Sequence, residues 1–309
     1  MKLIENNDWI KKSPYDRFSY FIASKIDRYK TLLQTIEKLS LNSLVIQIED
    51  NRHIFIFPPG KKLPAQRGAS FPFAGEDPYI FVAHYDRVEG SPGANDNSIA
   101  VFHLLNAANI FAKFNLSKWI ILFTDKEEIK SGESFEKQGS FSLAQKLKAW
   151  GLEKAKLFNF DACGTGDTLI ISTITDYLLG NNDNPSISKV KDSIRVLRNH
   201  ALDAAHLLRL DKVLLAPTPF CDDIGFLRAG FAAQTITMLP SEEAALYEEV
   251  LRKYPNFAKL LVSGEIKTSA ERRFLPQTWR NMNTPADTPD RLTPQYFNQI
   301  MNFIIELVK

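Results

Sequence analysis

Residues 79–86 of this chain read YIFVAHYD, a short apolar run that ends in a histidine and, two residues later, an aspartate. Runs of this length and character are typical of buried strands. Two more such runs are followed by acidic residues: WIILF at 119–123, then Asp125, Glu127 and Glu128, and LFNF at 157–160, then Asp161. Stretches of helical pattern at about 98–114 and 142–150 separate the three runs, and this βαβαβ order predicts an α/β fold.

The rest of the chain is consistent with the same architecture. A helix is predicted to open after Ser13 and to bury one face, because apolar residues recur at three- and four-residue spacing as far as Leu39. The other predicted elements are a hairpin with strands at 44–48 and 53–57, strands at 168–172, 212–216 and 233–239, and helices at 188–210, 241–254 and 294–308. We therefore predict a single domain over residues 1–309, a three-layer αβα structure around a mixed, mostly parallel sheet, with a candidate lid-like insertion at 241–278.

Composition and charge exclude several classes of protein. Lys and Arg number 38 and Asp and Glu number 36, so the net charge of +2 gives no reason to expect a nucleic-acid or membrane-surface partner. Two cysteines cannot build a disulfide framework or a Cys-rich zinc site. Residues 1–10 lack the continuous apolar stretch of a secretory signal, and the apolar runs are far shorter than the ~20 residues that span a bilayer. We expect a soluble, cytoplasmic protein and leave its oligomeric state open.

The polar residues that follow the three central strands are expected to meet. In an open α/β sheet, the carboxyl ends of the strands form the ligand crevice. His84, Asp161 and the Glu127-Glu128 pair should therefore converge although they are distant in sequence. Asp96, in the segment Gly-Ala-Asn-Asp-Asn directly before a predicted helix, can reach the same crevice. Each group alone is ordinary, but their coincidence at three strand ends indicates a site.

Such a site calls for a cation. Several carboxylates packed together repel one another and resist simultaneous ionisation, and a divalent cation removes that conflict. One histidine with several carboxylates and no cysteine suits zinc with an open position for water, with manganese or cobalt as alternatives. A metal in this setting lowers the pKa of bound water to about 7 and polarises a carbonyl, so hydrolysis is the chemistry we expect.

At these residues the chain resembles the di-zinc exopeptidase family that contains bacterial leucyl aminopeptidases, glutaminyl cyclases and transferrin-receptor-like ectodomains. The similarity is an ordered series of motifs over about residues 79–292. His84-Tyr85-Asp86 matches the family's His-x-Asp, which implies that His84 ligates a metal and that Asp86 orients it. Gly93 to Asn97 matches a Gly-Ala-x-Asp-Asn segment, which implies that Asp96 bridges two metals. The resemblance implies a zinc-exopeptidase-like fold.

The later motifs match in part. The resemblance makes Glu127 the general base and Glu128 a ligand, and Asp161 matches the family's next aspartate. Where the family has His-Thr-x-x-Asp-Thr, however, residues 283–288 read Asn-Thr-Pro-Ala-Asp-Thr, and no histidine follows His206. A second departure is Cys-Asp-Asp at 221–223, where relatives commonly have Ser-Asp-His.

The family pattern therefore implies one complete zinc site and one weakened site. His84, Asp96 and Asp161 would hold one metal. Asp96, Glu128 and Asn283 would hold the other, and an Asn carbonyl is a weaker zinc ligand than imidazole, so this position is expected to be weak or empty. Asp287 and Asp223 are the two acidic residues that could substitute for the missing imidazole.

The leading functional hypothesis is a zinc-dependent exopeptidase that removes N-terminal residues from peptides, an aminopeptidase. One alternative is a glutaminyl-cyclase-like acyltransferase, which is disfavoured because those relatives keep the histidine that is absent here. The other is a catalytically degenerate member that binds a peptide or partner. Asn283 and Asp223 favour that alternative, and the retained Glu127 opposes it. The sequence contains no Walker loop, His-Glu-x-x-His or Gly-x-Ser-x-Gly motif.

Overall fold

The computed structural model describes residues 9–61, 71–73, 75–129, 133–180, 184–263, 266 and 269–309. Residues 1–8, most of the stretch inspected for a secretory signal, and four residues of the candidate lid-like insertion lie outside this part. Within it, eight strands form a single sheet. The strands are β1 (Asn42–Ile48), β2 (Asn51–Phe57), β3 (Tyr79–His84), β4 (Trp119–Thr124), β5 (Lys156–Phe160), β6 (Thr168–Ser172), β7 (Val213–Ala216) and β8 (Ala233–Leu239).

The sheet is mixed and mostly parallel, as predicted. Its strand order is β1-β2-β4-β3-β5-β8-β6-β7. The four central strands β4, β3, β5 and β8 are parallel to one another. The β1–β2 hairpin adds two antiparallel strands at one edge, and β6 and β7 run opposite to β8 at the other edge. The three predicted strands that end in polar residues are therefore neighbours, with β3 between β4 and β5.

Helices cover both faces of the sheet. The helices are α1 (Phe18–Phe21), α2 (Arg28–Lys38), α3 (Ile99–Lys113), α4 (Gly139–Ala149), α5 (Ile174–Leu179), α6 (Pro185–Leu207), α7 (Asp222–Arg228), α8 (Ser241–Lys253), α9 (Phe257–Ser263), α10 (Ser269–Arg272), α11 (Gln277–Asn281) and α12 (Phe297–Leu307). No helix in the described part of the chain is long and apolar enough to cross a membrane.

Side chains along each strand point alternately to the two faces of the sheet, and this alternation produces the three layers. In β3, Phe81 and Ala83 point to one face, where they pack with α3, α6 and α12, and Ile80 and Val82 point to the other, where they pack with α4 and α7. Successive strand residues point to opposite faces, so a continuous apolar run can feed two cores at once. A third cluster packs α8 and α11 around the far edge of the sheet, with Tyr247 and Trp279 buried. The predicted αβα architecture is confirmed.

The prediction of one continuous helix at the start of the chain is wrong. The apolar periodicity indicated one helix from Pro14 to about Leu39, but the chain forms the short α1 and then the separate α2. Lys25 adopts a left-handed conformation (φ 66°) between them. The side chain of Asp27 then caps α2 by accepting a hydrogen bond from the backbone N–H of Lys30 at 3.1 Å. A cap of this kind starts a new helix inside a periodic pattern.

Two histidines outside the three strand ends, His53 and His103, are buried within this frame. His103 on α3 is almost fully buried and its Nδ1 accepts a hydrogen bond from the Tyr15 hydroxyl at 2.7 Å. Burial lowers the pKa of His103 to about 3. Burial likewise lowers the pKa of His53 to about 4. Both imidazoles are therefore neutral in the folded protein near neutral pH.

We predict that the free energy of unfolding of His103→Asn decreases less steeply with falling pH than that of the wild type. In the unfolded chain the imidazole has its ordinary pKa of about 6.5, so the unfolded state takes up a proton first and folded stability is lost as the pH falls below that value. Asn keeps a hydrogen-bond acceptor for Tyr15 but does not titrate. Between about pH 6 and 4, the variant should lose about 1.4 kcal/mol per pH unit less than the wild type. Urea unfolding at several pH values measures this, with the exposed His206→Asn as control; equal slopes for His103→Asn and wild type would refute the prediction.

Candidate metal centre

The three strand ends meet as predicted. His84 is the last residue of β3, Glu127 and Glu128 follow β4, and Asp161 directly follows β5. One nitrogen of His84 and one carboxylate oxygen from each of Asp96 and Glu128 all lie within 4.8 Å of one another. The His84 Nε2 is 3.1 Å from Asp96 Oδ1 and 3.9 Å from Asp161 Oδ2. The structure thus brings all of the predicted acidic and imidazole ligands to the same edge of the sheet.

The donor set fits a divalent cation. Asp96 Oδ2, Glu128 Oε1 and Asp161 Oδ1 are buried and have no hydrogen-bond partner among the residues that the structure describes. An unpaired buried carboxylate oxygen is costly unless a cation or a donor satisfies it. Three such oxygens next to one imidazole are the arrangement in which oxygen and nitrogen ligands surround zinc or a similar ion.

The protonation equilibria reflect the same crowding. Burial, followed by the charge of Asp96, raises the pKa of Asp161 well above its ordinary range and that of Glu128 to about 9. Burial would lower the pKa of His84, but hydrogen bonds with Asp86 and Asp96 outweigh it and raise that pKa well above 6.5. Each acidic group gains from a nearby positive charge, which a bound cation would supply.

Asp86 connects the ends of β3 and β4. Its Oδ1 lies 3.5 Å from the Nδ1 of His84. The same carboxylate accepts hydrogen bonds from the backbone N–H groups of Glu127 and Glu128, at 3.2 Å and 3.0 Å. One side chain therefore orients the imidazole and also fixes the loop that carries both glutamates, which is consistent with the orienting role inferred for Asp86.

Asp96 lies in a tight turn that joins β3 to α3. Gly93 opens the turn in a left-handed conformation (φ 61°), and a Cβ atom there would lie 2.8 Å from the carbonyl oxygen of Asp96. The carboxylate of Asp287 accepts hydrogen bonds from the backbone N–H groups of Asn95 and Asp96, at 2.8 Å and 3.0 Å. Asp287 thus holds the turn from a position 191 residues away in sequence.

Both candidate substitutes for the missing imidazole take part in local hydrogen bonds. Both oxygens of Asp287 are engaged by the turn just described. Asp223 accepts hydrogen bonds from the Cys221 thiol at 3.1 Å and from the Thr235 hydroxyl at 2.9 Å. A role for Asp287 or Asp223 as a ligand stays a prediction, and it requires the carboxylate to rotate away from these donors.

Asn283 lies at the exposed rim of the site. Its side-chain Nδ2 donates a hydrogen bond to Glu128 Oε2 at 2.9 Å. Its backbone is left-handed (φ 61°), a conformation that asparagine tolerates better than most residues. Asn283 therefore contacts the cluster through Glu128, and it offers an amide where the resembling family has an imidazole.

Glu127 lies on the buried side of the cluster. Its Oε1 accepts a hydrogen bond from Gln138 Nε2 at 3.0 Å, and the same amide donates to the Glu127 carbonyl at 3.1 Å. Burial raises the pKa of Glu127 well above its ordinary value; the charge of His84 opposes this shift, and the nearby Glu128 adds to it. Sequence reasoning missed Gln138, because no motif surrounds it and its contact with Glu127 arises only in the folded loop.

Comparison with known proteins is consistent with this geometry. The family model for peptidase family M28 matches residues 68–308. No curated protein matches the sequence significantly. The fold is similar to that of a Porphyromonas gingivalis glutaminyl cyclase, with a TM-score of 0.59 and 15% identity over 95% of this chain and 94% of that one.

Two aminopeptidases share the fold as well. The Legionella pneumophila aminopeptidase LapA aligns with a TM-score of 0.59 and 14% identity over 99% of this chain and 71% of its own. A zinc aminopeptidase from Bacillus subtilis aligns with a TM-score of 0.51 and 18% identity over 83% of this chain, which spans about half (49%) of that protein. Since the family model covers most of the sequence, this chain belongs to peptidase family M28.

Proposed function

We propose that this protein is a metal-dependent exopeptidase that removes N-terminal residues from peptides. The observation that carries the proposal is the cluster of three unpaired, buried carboxylate oxygens around His84, with the buried carboxylic acid of Glu127 beside it. Membership of peptidase family M28 and the similarity in fold to zinc aminopeptidases support a metallo-exopeptidase-like activity. The aminopeptidase reaction itself is our assignment.

His84, Asp96 and Asp161 are proposed to hold one zinc ion. Asp96, Glu128 and Asn283 form the second, weaker position. A bound metal would polarise the scissile carbonyl and increase the acidity of a water molecule. The residues of the chain supply the rest: Asp86 keeps the imidazole of His84 and the loop of Glu127 in place, and Asn283 contacts Glu128 at the rim.

Glu127 is proposed to be the general base. Because Gln138 donates to Oε1, we assign proton uptake from the attacking water to Oε2. The water oxygen forms a bond to the carbonyl carbon, and the bond from that carbon to the leaving nitrogen then breaks. Glu127 returns the proton to this nitrogen, so that a free amine leaves and the carboxylate is regenerated.

A hollow beside Asp161 supports a compact apolar side chain in the substrate. The hollow is narrow, is partly open to solvent and lies next to the proposed metal ligand, so a substrate bound at the metal would place its side chain there. Its lining is mainly uncharged and includes Pro219, Phe220, Cys221, Trp279 and Met282.

Glutaminyl cyclase activity is the second candidate. The alignment with the Porphyromonas gingivalis cyclase covers nearly the whole of both chains, whereas the Bacillus subtilis aminopeptidase is about twice as long as the region matched. Release of free amino acid from a peptide indicates the hydrolase, and cyclisation of an N-terminal glutamine with loss of ammonia indicates the cyclase. If neither reaction occurs when zinc, manganese or cobalt is added, the degenerate, peptide-binding alternative remains.

We predict that Glu127→Gln abolishes hydrolysis and leaves metal binding intact. The amide is isosteric but cannot accept a proton from water, so kcat should fall by about 10²–10⁴-fold. Bound zinc, measured by elemental analysis, should equal that of the wild type because Glu127 is not an assigned ligand. Glu136→Gln, an exposed change in the same loop region, is the matched control. Unchanged turnover in Glu127→Gln would show that another group is the base.

We predict that Asn283→His strengthens the second metal position. An imidazole at the rim would supply the nitrogen ligand that the amide lacks. Zinc stoichiometry in equilibrium dialysis should rise from about one to about two ions per chain, and hydrolysis should increase with it. Asn281→His, two residues earlier, is the control and should bind no additional zinc. An Asn283→His protein with the wild-type stoichiometry would contradict the assignment of this position.

We predict a preference for compact apolar residues at the N-terminus of the substrate. A charged side chain would lose its hydration in the hollow, and the acidic group in the lining, Asp161, is assigned to the metal. In a series of tripeptides that differ only in the first residue, kcat/KM should be at least about tenfold higher for Val or Leu than for Lys or Glu. Equal kcat/KM values across the series would show that this hollow does not bind the first side chain of the substrate.

A further inference from the structure

Arg28 connects the N-terminal segment to the candidate metal centre. It is the first residue of α2 and precedes the part of the chain that matches the family model, residues 68–308. Its side chain is nevertheless buried, with 6% relative exposure, and it extends into the loop between β3 and α3. This loop, residues 85–98, carries both Asp86 and Asp96.

One guanidinium group binds both ends of that loop. Its Nη1 donates to the first two carbonyl oxygens after His84, and its Nη2 donates to acceptors around the turn that opens at Gly93. The acceptors are Tyr85 O at 3.0 Å, Asp86 O at 2.9 Å, Pro92 O at 3.2 Å, Gly93 O at 3.2 Å and the Ser98 hydroxyl. Because a guanidinium is planar and rigid, these bonds fix the distance between the start of the loop and its turn.

A second arginine makes the reverse connection. Arg87, in the loop, donates from Nη1 to the carbonyl of Ile22 at 2.7 Å and from Nη2 to the carbonyl of Ala23 at 2.9 Å. These carbonyls lie just beyond α1, where the end of the helix leaves them without helical partners. The break between α1 and α2 therefore provides acceptors for Arg87 and also positions Arg28.

The electrostatics of this contact favour the acidic site. Burial, followed by the charge of Arg87, lowers the pKa of Arg28 to about 9, and the charges of Asp86, Asp96 and Asp287 oppose this shift. Its Cζ also lies 4.7 Å from the centre of the Phe21 ring. Carbonyl acceptors and nearby carboxylates offset part of the hydration that the buried guanidinium loses. Its removal would leave the carbonyls of Tyr85 and Asp86 without the donor that they have among the described residues.

We propose that Arg28 is a positioning residue for the metal centre, and that Arg28 and Arg87 together form a clasp through which the N-terminal segment sets the geometry of Asp86 and Asp96. This inference rests on the proposed metal centre. It assigns to a segment outside the matched family region a role in metal affinity, which fold maintenance alone would not require.

Zinc titration of the metal-free protein tests the proposal. The variants are Arg28→Met, which keeps an unbranched apolar stem, Arg28→Lys, which keeps the charge but loses the planar fork, and Arg87→Met. Arg17→Met is the control, because Arg17 lies on the same segment and donates to Gln34 without contacting the loop. Affinity is measured by competition with a chelating dye, and the free energy of unfolding of each metal-free protein is measured by urea denaturation.

We expect the zinc affinity of folded Arg28→Met to fall about 10- to 100-fold, the range found when groups that orient metal ligands are removed. Arg28→Lys and Arg87→Met should fall by less, and Arg17→Met should stay within about twofold of the wild type. The cobalt-substituted Arg28→Met protein should also show altered absorption bands, because the ligand geometry changes. A purely structural role would lower only the free energy of unfolding and leave affinity and spectrum unchanged.

Each result decides the question. Folded Arg28→Met and Arg87→Met proteins with wild-type zinc affinity would overturn the clasp while leaving the proposed metal centre in place. If Arg28→Met does not fold, the affinities of Arg28→Lys and Arg87→Met decide in the same way. A wild-type chain that binds neither zinc, manganese nor cobalt would overturn the metal centre itself, and the clasp with it.

Discussion

The crowding of carboxylates at one edge of the sheet is the constraint on which the candidate site depends. Asp96, Asp161, Glu127 and Glu128 lie within reach of a single imidazole, and burial removes most of the water that would stabilise their charges. Three of their oxygens have no hydrogen-bond donor in the described part of the chain. Such an arrangement is tolerable when the groups share protons or a cation. The apolar cores on both faces of the sheet hold the ends of β3 and β5, and with them His84 and Asp161.

Two kinds of support maintain this arrangement. Strands β3 and β5 position His84 and Asp161 directly. His84 ends β3, Asp161 directly follows β5, and all residues of the two strands except the first of each are buried. The remaining groups lie on loops, which polar side chains hold by hydrogen bonds to the backbone. Asp86, Asp287 and Arg28 are the main examples, and each bonds to two or more backbone groups of these loops. Loops supported in this way approach the precision of the sheet.

This division explains what could be predicted from the sequence. Apolar runs reveal strands, and residues directly after a strand must lie at its end, so the convergence of His84 and Asp161 followed from pattern alone. Asp287 and Arg28 form hydrogen bonds with backbone N–H and carbonyl groups of a loop that is distant in sequence. Nearly every residue type carries both groups, so the sequence gives no sign of these contacts. The broken first helix was missed for a related reason: its apolar spacing continues through the break, and only the Asp27 cap signals a new start.

The same division bears on the replacement of histidine by Asn283. This residue lies on a loop at the exposed rim and touches the cluster only through Glu128. His84 and Asp161 are held by strands, and Asp86 holds the loop of Glu127, so none of these depends on the identity of residue 283. Loss of an imidazole there removes a ligand from the rim without loosening the buried part. With the ligands and the base assigned as proposed, a chain with this arrangement keeps the groups for one metal ion and for proton transfer beside it.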